Sequence, residues 1–188
     1  MYKYIAKYLL LPKVFRFFGV VVLPSLFIGL VGFFICSYLA LFVLPADATQ
    51  QEIYRILFVH VPAAIFSELI YIFMACCGFI YLVWKTKISA IMLRSAISLG
   101  LVFTLIVLIS GAIWGKPTWG TYWVWDARIT STFILLIQYI GLLALRTSFN
   151  TMQTTDQILS IVAIVGAINI PIIKFSVNWW NTLHQNAS

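Results

Sequence analysis

Five long apolar runs divide the chain, and short polar or charged segments separate them. The runs cover about 17–44, 57–83, 96–113, 129–145 and 158–173. They are continuous rather than alternating at a period of two, which favours helices over a barrel. The first holds Pro24, which a spanning helix tolerates. The last is short and contains Asn169 and Pro171. No internal repeat or low-complexity linker interrupts them. The pattern predicts an all-α, polytopic membrane helix bundle of five spans, forming one integral membrane domain over 1–188.

Composition agrees. With 63% hydrophobic and 9% charged residues, a soluble fold has no interior large enough for the apolar side chains. The net charge of +7 invites a nucleic-acid reading, but the few charges sit at the ends of apolar runs. Membrane topology accounts for them, and no nucleic-acid partner is expected. Residues 1–16 carry Lys3, Lys7, Lys13 and Arg16 among Tyr2, Tyr4 and Tyr8, as a basic segment lying on a lipid surface does. A cleaved signal is the poorer reading, because the run that follows far exceeds an h-region and lacks an A-x-A-like exit.

Five spans put alternate connections on opposite sides. Eight of the 12 Lys and Arg residues fall on the N-terminal side, against Arg55, Lys116, Arg128 and Lys174 on the other. The positive-inside rule then places the N-terminus in the cytoplasm or its equivalent. The start of the second span, the segment after the third and the C-terminal tail all lie on the outer side. Those three places hold both histidines, His60 and His184, and six of the seven tryptophans.

Residues 114–128 contain Trp114, Trp119, Trp123 and Trp125, mixed with Gly115, Gly120, Pro117, Asp126 and Arg128. Indoles gather at membrane interfaces as belts, which is the competing explanation. Four so close together, however, form a shelf suited to a flat, apolar, acid-bearing ligand such as haem. His60 lies roughly 5 Å inside its span, at 1.5 Å per residue. On an ideal helix it shares a face with Ala64, Ser67 and Tyr71. Its plain role is a hydrogen bond to a neighbouring carbonyl; paired with His184 it becomes a candidate haem-iron ligand. His184 follows Trp179 and Trp180, and a lone histidine near a terminus is otherwise solvated. Arg55 and Arg128 are candidates to pair with propionates, with Lys116 behind them, and their alternative role is to flank a span end. Asp126 either orients Arg128 or caps the following helix, and the cap is favoured. Glu68, a carboxyl inside the second span, is functional or else neutral and hydrogen-bonded in the bundle. Gly111-x-x-x-Gly115 is a weak signal for close helix contact. Cys36, Cys76 and Cys77 form no C-x-x-C pair and no C-x-x-C-H motif, so the chain is not itself a c-type cytochrome.

Trp114-Gly-Lys-Pro-Thr-Trp-Gly-Thr-Tyr-Trp-Val-Trp-Asp-Ala-Arg-Ile-Thr-Ser131 resembles the tryptophan-rich "WWD" signature of haem-handling membrane proteins. Together with Ser176-Val-Asn-Trp-Trp-Asn-Thr-Leu-His-Gln185 and His60-Val-Pro62, it is similar to the haem exporter protein C family of cytochrome c maturation. The resemblance implies a haem-binding, non-enzymatic transport and assembly protein of the bacterial inner membrane, or of the mitochondrial inner membrane. It implies His60 and His184 as axial ligands of a non-covalent haem b. The tryptophans 114, 119, 123 and 125, with Trp179 and Trp180, become its platform, and Arg55, Arg128 and Asp126 its support. It also implies delivery of haem to the haem chaperone, protein E, alongside protein D and the ABC-type subunits A and B. The family pattern usually has a sixth span after the second histidine, whereas the five-span reading leaves 174–188 as an outer tail. The alternative functions are a redox subunit carrying b-type haem, a solute transporter using Glu68, and a permease-like subunit whose aromatic loop docks a partner.

Overall fold

Lipid offers the backbone no water, so a continuous apolar run satisfies its N–H and C=O groups internally by forming a helix. The computed structural model describes residues 11–180; residues 1–10 and 181–188 lie outside the described part. No β-strand forms among the described residues, and five helical stretches are long and apolar enough to cross a membrane. This is a multi-pass, all-α membrane protein.

By packing, the chain divides into two units, Met1–Arg55 and Ile56–Ser188. In the first, α1 (Leu11–Tyr38) runs into a π-helical turn, Leu39–Val43, so that one spanning stretch covers Pro12–Val43. Lys13 and Arg16 belong to its first turns rather than to a separate surface segment. The remainder of the expected basic segment falls on residues 1–10, outside the described part. After Val43, Asp47 organises a tight turn in which its Oδ1 accepts from the Thr49 and Gln50 amides, both at 2.8 Å. Those two donors hold the Asp47 carboxyl below its ordinary pKa.

In the second unit, α2 (Leu57–Trp84) packs along α3 (Lys87–Trp119) and against α5 (Met152–Gly166). Between α3 and α6 (Asn169–Trp179) lies α4 (Ala127–Leu145). The boundaries of α2 and α4 follow the apolar pattern. The third span is longer than expected at both ends. Only Lys85 and Thr86 separate it from α2, because 87–95 continue the helix with Ala90 and Leu93 buried. Lys85 makes the turn at φ 53°, and its ammonium lies over the Tyr81 ring at 5.2 Å. Arg94, expected in a loop, reaches from α3 to Asp156 on α5 at 3.0 Å.

The fifth span is two helices rather than one. Pro171 has no N–H to give the Ala167 carbonyl, and Ile170 donates to that carbonyl instead at 3.1 Å. The chain turns at 167–168 and restarts as α6, where the Asn169 side-chain amide donates to the Ser131 carbonyl of α4 at 2.9 Å.

The core of this unit is built around Tyr71, Met74, Leu93, Ile97, Leu135, Tyr139 and Leu159, each essentially inaccessible. Tyr139 crosses from α4 to α2, where its hydroxyl donates to the Ser67 carbonyl at 2.7 Å. Its ring occupies the space that a Cβ at Gly100 on α3 would need. A Gly100→Ala variant should therefore be overpacked and lose about 1–3 kcal/mol. A clear drop in thermal unfolding temperature in detergent is the expected result; unchanged melting would mean that α3 and α4 are not held by this contact.

Candidate functional site

His60 stands in the first turn of α2, half-buried against α3. Its Nδ1 lies 3.0 Å from Ser110 Oγ. Gly111 leaves room for the imidazole, since a Cβ there would come within 3.2 Å of His60 Cε1. Trp114 meets the imidazole edge to face, with centroids 5.7 Å apart. Ser110, Gly111 and Trp114 lie within about one turn of α3, so one helix face cradles one imidazole. The helix continues through Pro62, and the face that begins at His60 turns into the bundle, where Ser67 and Tyr71 are buried.

The tryptophan stretch is not a single loop. Trp114 and Trp119 belong to the last turns of α3. Gly120 ends the helix at φ 81°, a conformation that strains other residues, and its amide donates to the Lys116 carbonyl at 3.0 Å. The Lys116 ammonium donates to the Gly120 carbonyl at 3.1 Å and lies over the Tyr122 ring at 5.3 Å. Lys116 is thus engaged in closing the helix end.

Beyond Gly120 the chain bends through 121–122 and then runs without regular secondary structure to Asp126. The rings of Trp123 and Trp125 meet edge to face at 5.3 Å, and both contact Phe133 of α4, at 5.8 and 6.0 Å. The Trp123 indole N–H is buried with no hydrogen-bond partner, whereas the Trp125 side is 68% exposed. Asp126 is the N-cap of α4: its Oδ1 accepts from the Ile129 amide at 2.7 Å, and the residue is buried. The capping role is therefore observed. Arg128 is two residues into α4, half-exposed. Glu68, two turns deeper along α2 than His60, lies within electrostatic reach of Arg128 and Lys174.

Trp179 ends α6, stacked on Phe175 at 5.6 Å, and Trp180 follows it. Trp125, Asp126 and Ser131 on one side, and Asn169, Ile172 and Trp180 on the other, border an open groove of about 290 Å³. Thus Trp125 and Trp180, 55 positions apart in the chain, border the same groove. His184 lies outside the described residues. Arg55 belongs to the first unit, where Nε meets Glu52 at 2.5 Å, one terminal nitrogen donates to Ala40 O and the other to Leu44 O at 3.0 Å. A carboxylate ligand at Arg55 would have to displace those partners.

Sequence reasoning missed Ser110 and Phe133. Ser110 was legible in principle, four residues before Trp114 and so on its helical face, once α3 is extended past Ile113. Nothing in the sequence marks Phe133 apart from many other phenylalanines.

A multi-pass helical membrane protein with, among the described residues, one imidazole and several indoles gathered towards one end of its bundle is the class so defined. A family model described as "Heme exporter protein C" matches residues 5–188. The "Heme exporter protein C" of Escherichia coli (strain K12) is 47% identical over 144 residues, covering 77% of this chain and 59% of that protein. The Haemophilus influenzae protein of the same name is 45% identical, covering 77% and 58%. A Marchantia polymorpha protein, "Putative cytochrome c biosynthesis ccmC-like mitochondrial protein", is 49% identical over 151 residues, covering 80% and 64%. The chain belongs to the haem exporter protein C family. It spans about three fifths of the length of these curated relatives.

Asp126→Ala should remove the cap and cost about 1 kcal/mol of α4 stability, while Asp126→Asn, which keeps an acceptor, should cost much less. Hydrogen exchange at the Ile129 and Thr130 amides is the measurement. Equal protection in all three proteins would show that the cap contributes nothing.

Proposed function

We propose that this chain binds haem at the outer face of an energy-transducing membrane and hands it on for c-type cytochrome assembly. The observation that carries this reading is His60, seated against Ser110 and Trp114 of α3, the helix that also carries Trp119. Among the described residues no group of three His, Cys, Asp or Glu side chains gathers to hold a bare metal ion. A single imidazole beside indoles suits a metal that arrives with its own equatorial ring. The buried, unpaired Trp123 N–H and the groove between Trp125 and Trp180 also fit a large aromatic ligand carrying acceptor groups. The names carried by the relatives, heme exporter and cytochrome c biosynthesis, support the same ligand and destination.

In this reading His60 and His184 are the axial ligands of a non-covalent haem b in transit. Trp114, Trp119, Trp123, Trp125, Trp179 and Trp180 form the platform of an outer-face region made of 114–128 and 174–188. Arg128 is the preferred partner for a propionate, because its guanidinium offers two parallel donors. Asp126 supports it indirectly by fixing the start of α4. Arg55 is a second propionate candidate once released from Glu52, Ala40 and Leu44. The recipient is the haem chaperone, protein E, with protein D and the ABC-type subunits A and B as associates. The role is transport and assembly rather than catalysis. The membrane is the bacterial inner membrane or its mitochondrial counterpart, with the N-terminus on the cytoplasmic or matrix side.

Visible spectra of haem added to the detergent-purified protein test the ligands. His60→Ala and His184→Ala should each change the ligand-sensitive bands; two unchanged spectra would end the axial-ligand reading. Arg128→Ala should leave those bands in place but weaken haem retention by roughly 10- to 150-fold, as loss of charged hydrogen bonds worth about 1.5–3 kcal/mol requires. A shift of the ligand bands in Arg128→Ala would instead mean that Arg128 holds the site's structure.

A further inference from the structure

The hydrogen bonds around Ser110 determine which nitrogen of His60 carries the proton. Ser110 Oγ lies 2.5 Å from the Ile106 carbonyl one turn back and 3.3 Å from the Val107 carbonyl. A hydroxyl has one hydrogen, and a carbonyl oxygen only accepts, so that hydrogen is directed along the helix at Ile106. What Ser110 turns towards α2 is therefore a lone pair. His60 Nδ1, 3.0 Å away, has to supply the proton of the contact. The reverse arrangement, with Ser110 donating to a bare Nδ1, would leave Ser110 Oγ and Ile106 O in contact at 2.5 Å with no hydrogen between them.

We infer that Ser110 is a positioning residue for His60: it holds the neutral imidazole as the Nδ1–H tautomer and so keeps the metal-binding lone pair on Nε2. This rests on the proposed haem reading for its purpose, but not for its chemistry. Two further observations on α3 fit the same role. Gly111 makes the room that lets the ring approach Ser110, and Trp114 meets the ring edge to face, limiting its rotation. The relay from Nδ1–H through Ser110 O–H to the Ile106 carbonyl also polarises the imidazole, making Nε2 a better donor to a metal. Serine at this place is thus the outer partner that metal-bound histidines ordinarily require, supplied from the neighbouring helix rather than by a carboxylate.

The test uses the full chain in detergent with ¹⁵N-labelled histidine. There are two histidines, so His184→Ala assigns the signals. In the haem-free wild type at mildly alkaline pH, long-range proton–nitrogen correlations should show His60 Nδ1 protonated and Nε2 bare. Ser110→Ala should shift the ring towards the Nε2–H tautomer and weaken haem affinity about tenfold, the low end of the usual effect of losing such a partner. Ser110→Thr should restore both. The geometry permits it, because Thr104 on the same helix makes the equivalent back-bond, to the Gly100 carbonyl at 2.8 Å. An Nε2-protonated His60 in the wild type overturns the inference whatever haem does. So does a Ser110→Ala protein with unaltered tautomer or unaltered haem affinity. Failure of the haem reading has a different signature, an unchanged haem spectrum in His60→Ala, which does not depend on the tautomer measurement.

Discussion

Inside a bilayer a polar group has only the protein to bond with, and this constraint shapes the second unit of the chain. Several polar side chains that cross between its helices end on a backbone carbonyl or on another side chain, although the buried Tyr71 hydroxyl finds no partner among the described residues. Tyr139 reaches Ser67 O, Asn169 reaches Ser131 O, and His60 reaches Ser110. These contacts fix which helix faces meet, because a rotation of any helix would leave a donor stranded in an apolar medium. Dispersion contacts then fill the remaining volume, tightly where Tyr139 lies against Gly100 and Tyr71 against Gly166. Packing in lipid gains little from apolar burial, since the alternative environment is equally apolar, and so close approach and matched hydrogen bonds carry the specificity.

The same bonds that hold the bundle also shape its candidate site. His60 is fixed by α3 rather than by its own helix, and Trp123 and Trp125 are braced by Phe133 of α4. Asp126, at the end of the irregular stretch 121–126, caps the start of α4. A mobile aromatic loop would lose conformational entropy whenever it received a large planar ligand; indoles already propped on helices lose less.

Hydrophobic runs of about 16 residues or more bounded by charged segments favour one structural outcome in lipid, so the existence, order and number of the spans were readable from the sequence. The ends were less so. Residues 87–95 look like a basic loop until Ala90 and Leu93 are seen to continue the buried face of α3. Pro171 announced a disturbance in the last span, but where the chain would turn depended on which donor replaced the missing N–H. In the candidate site, histidine and tryptophan stood out as residue types. Ser110 did not, because a serine in a membrane helix is common and its meaning comes from the residue across the interface. Arg55 illustrates the opposite case. Its charge and position suggested a ligand role, while the structure gives it Ala40 and Leu44 carbonyls and Glu52.

The termination of α3 at Gly120 divides the tryptophans into two sets with different anchors. Trp114 and Trp119 ride on α3, while Trp123 and Trp125 follow α4 through Phe133. An aromatic surface borne by one loop would move as a piece and keep its spacing whatever the helices did. Here the distance between the sets is a readout of the angle between two helices. A small tilt of α4 against α3 becomes a change in the width of the surface, so that width is a property of the bundle rather than of the stretch itself.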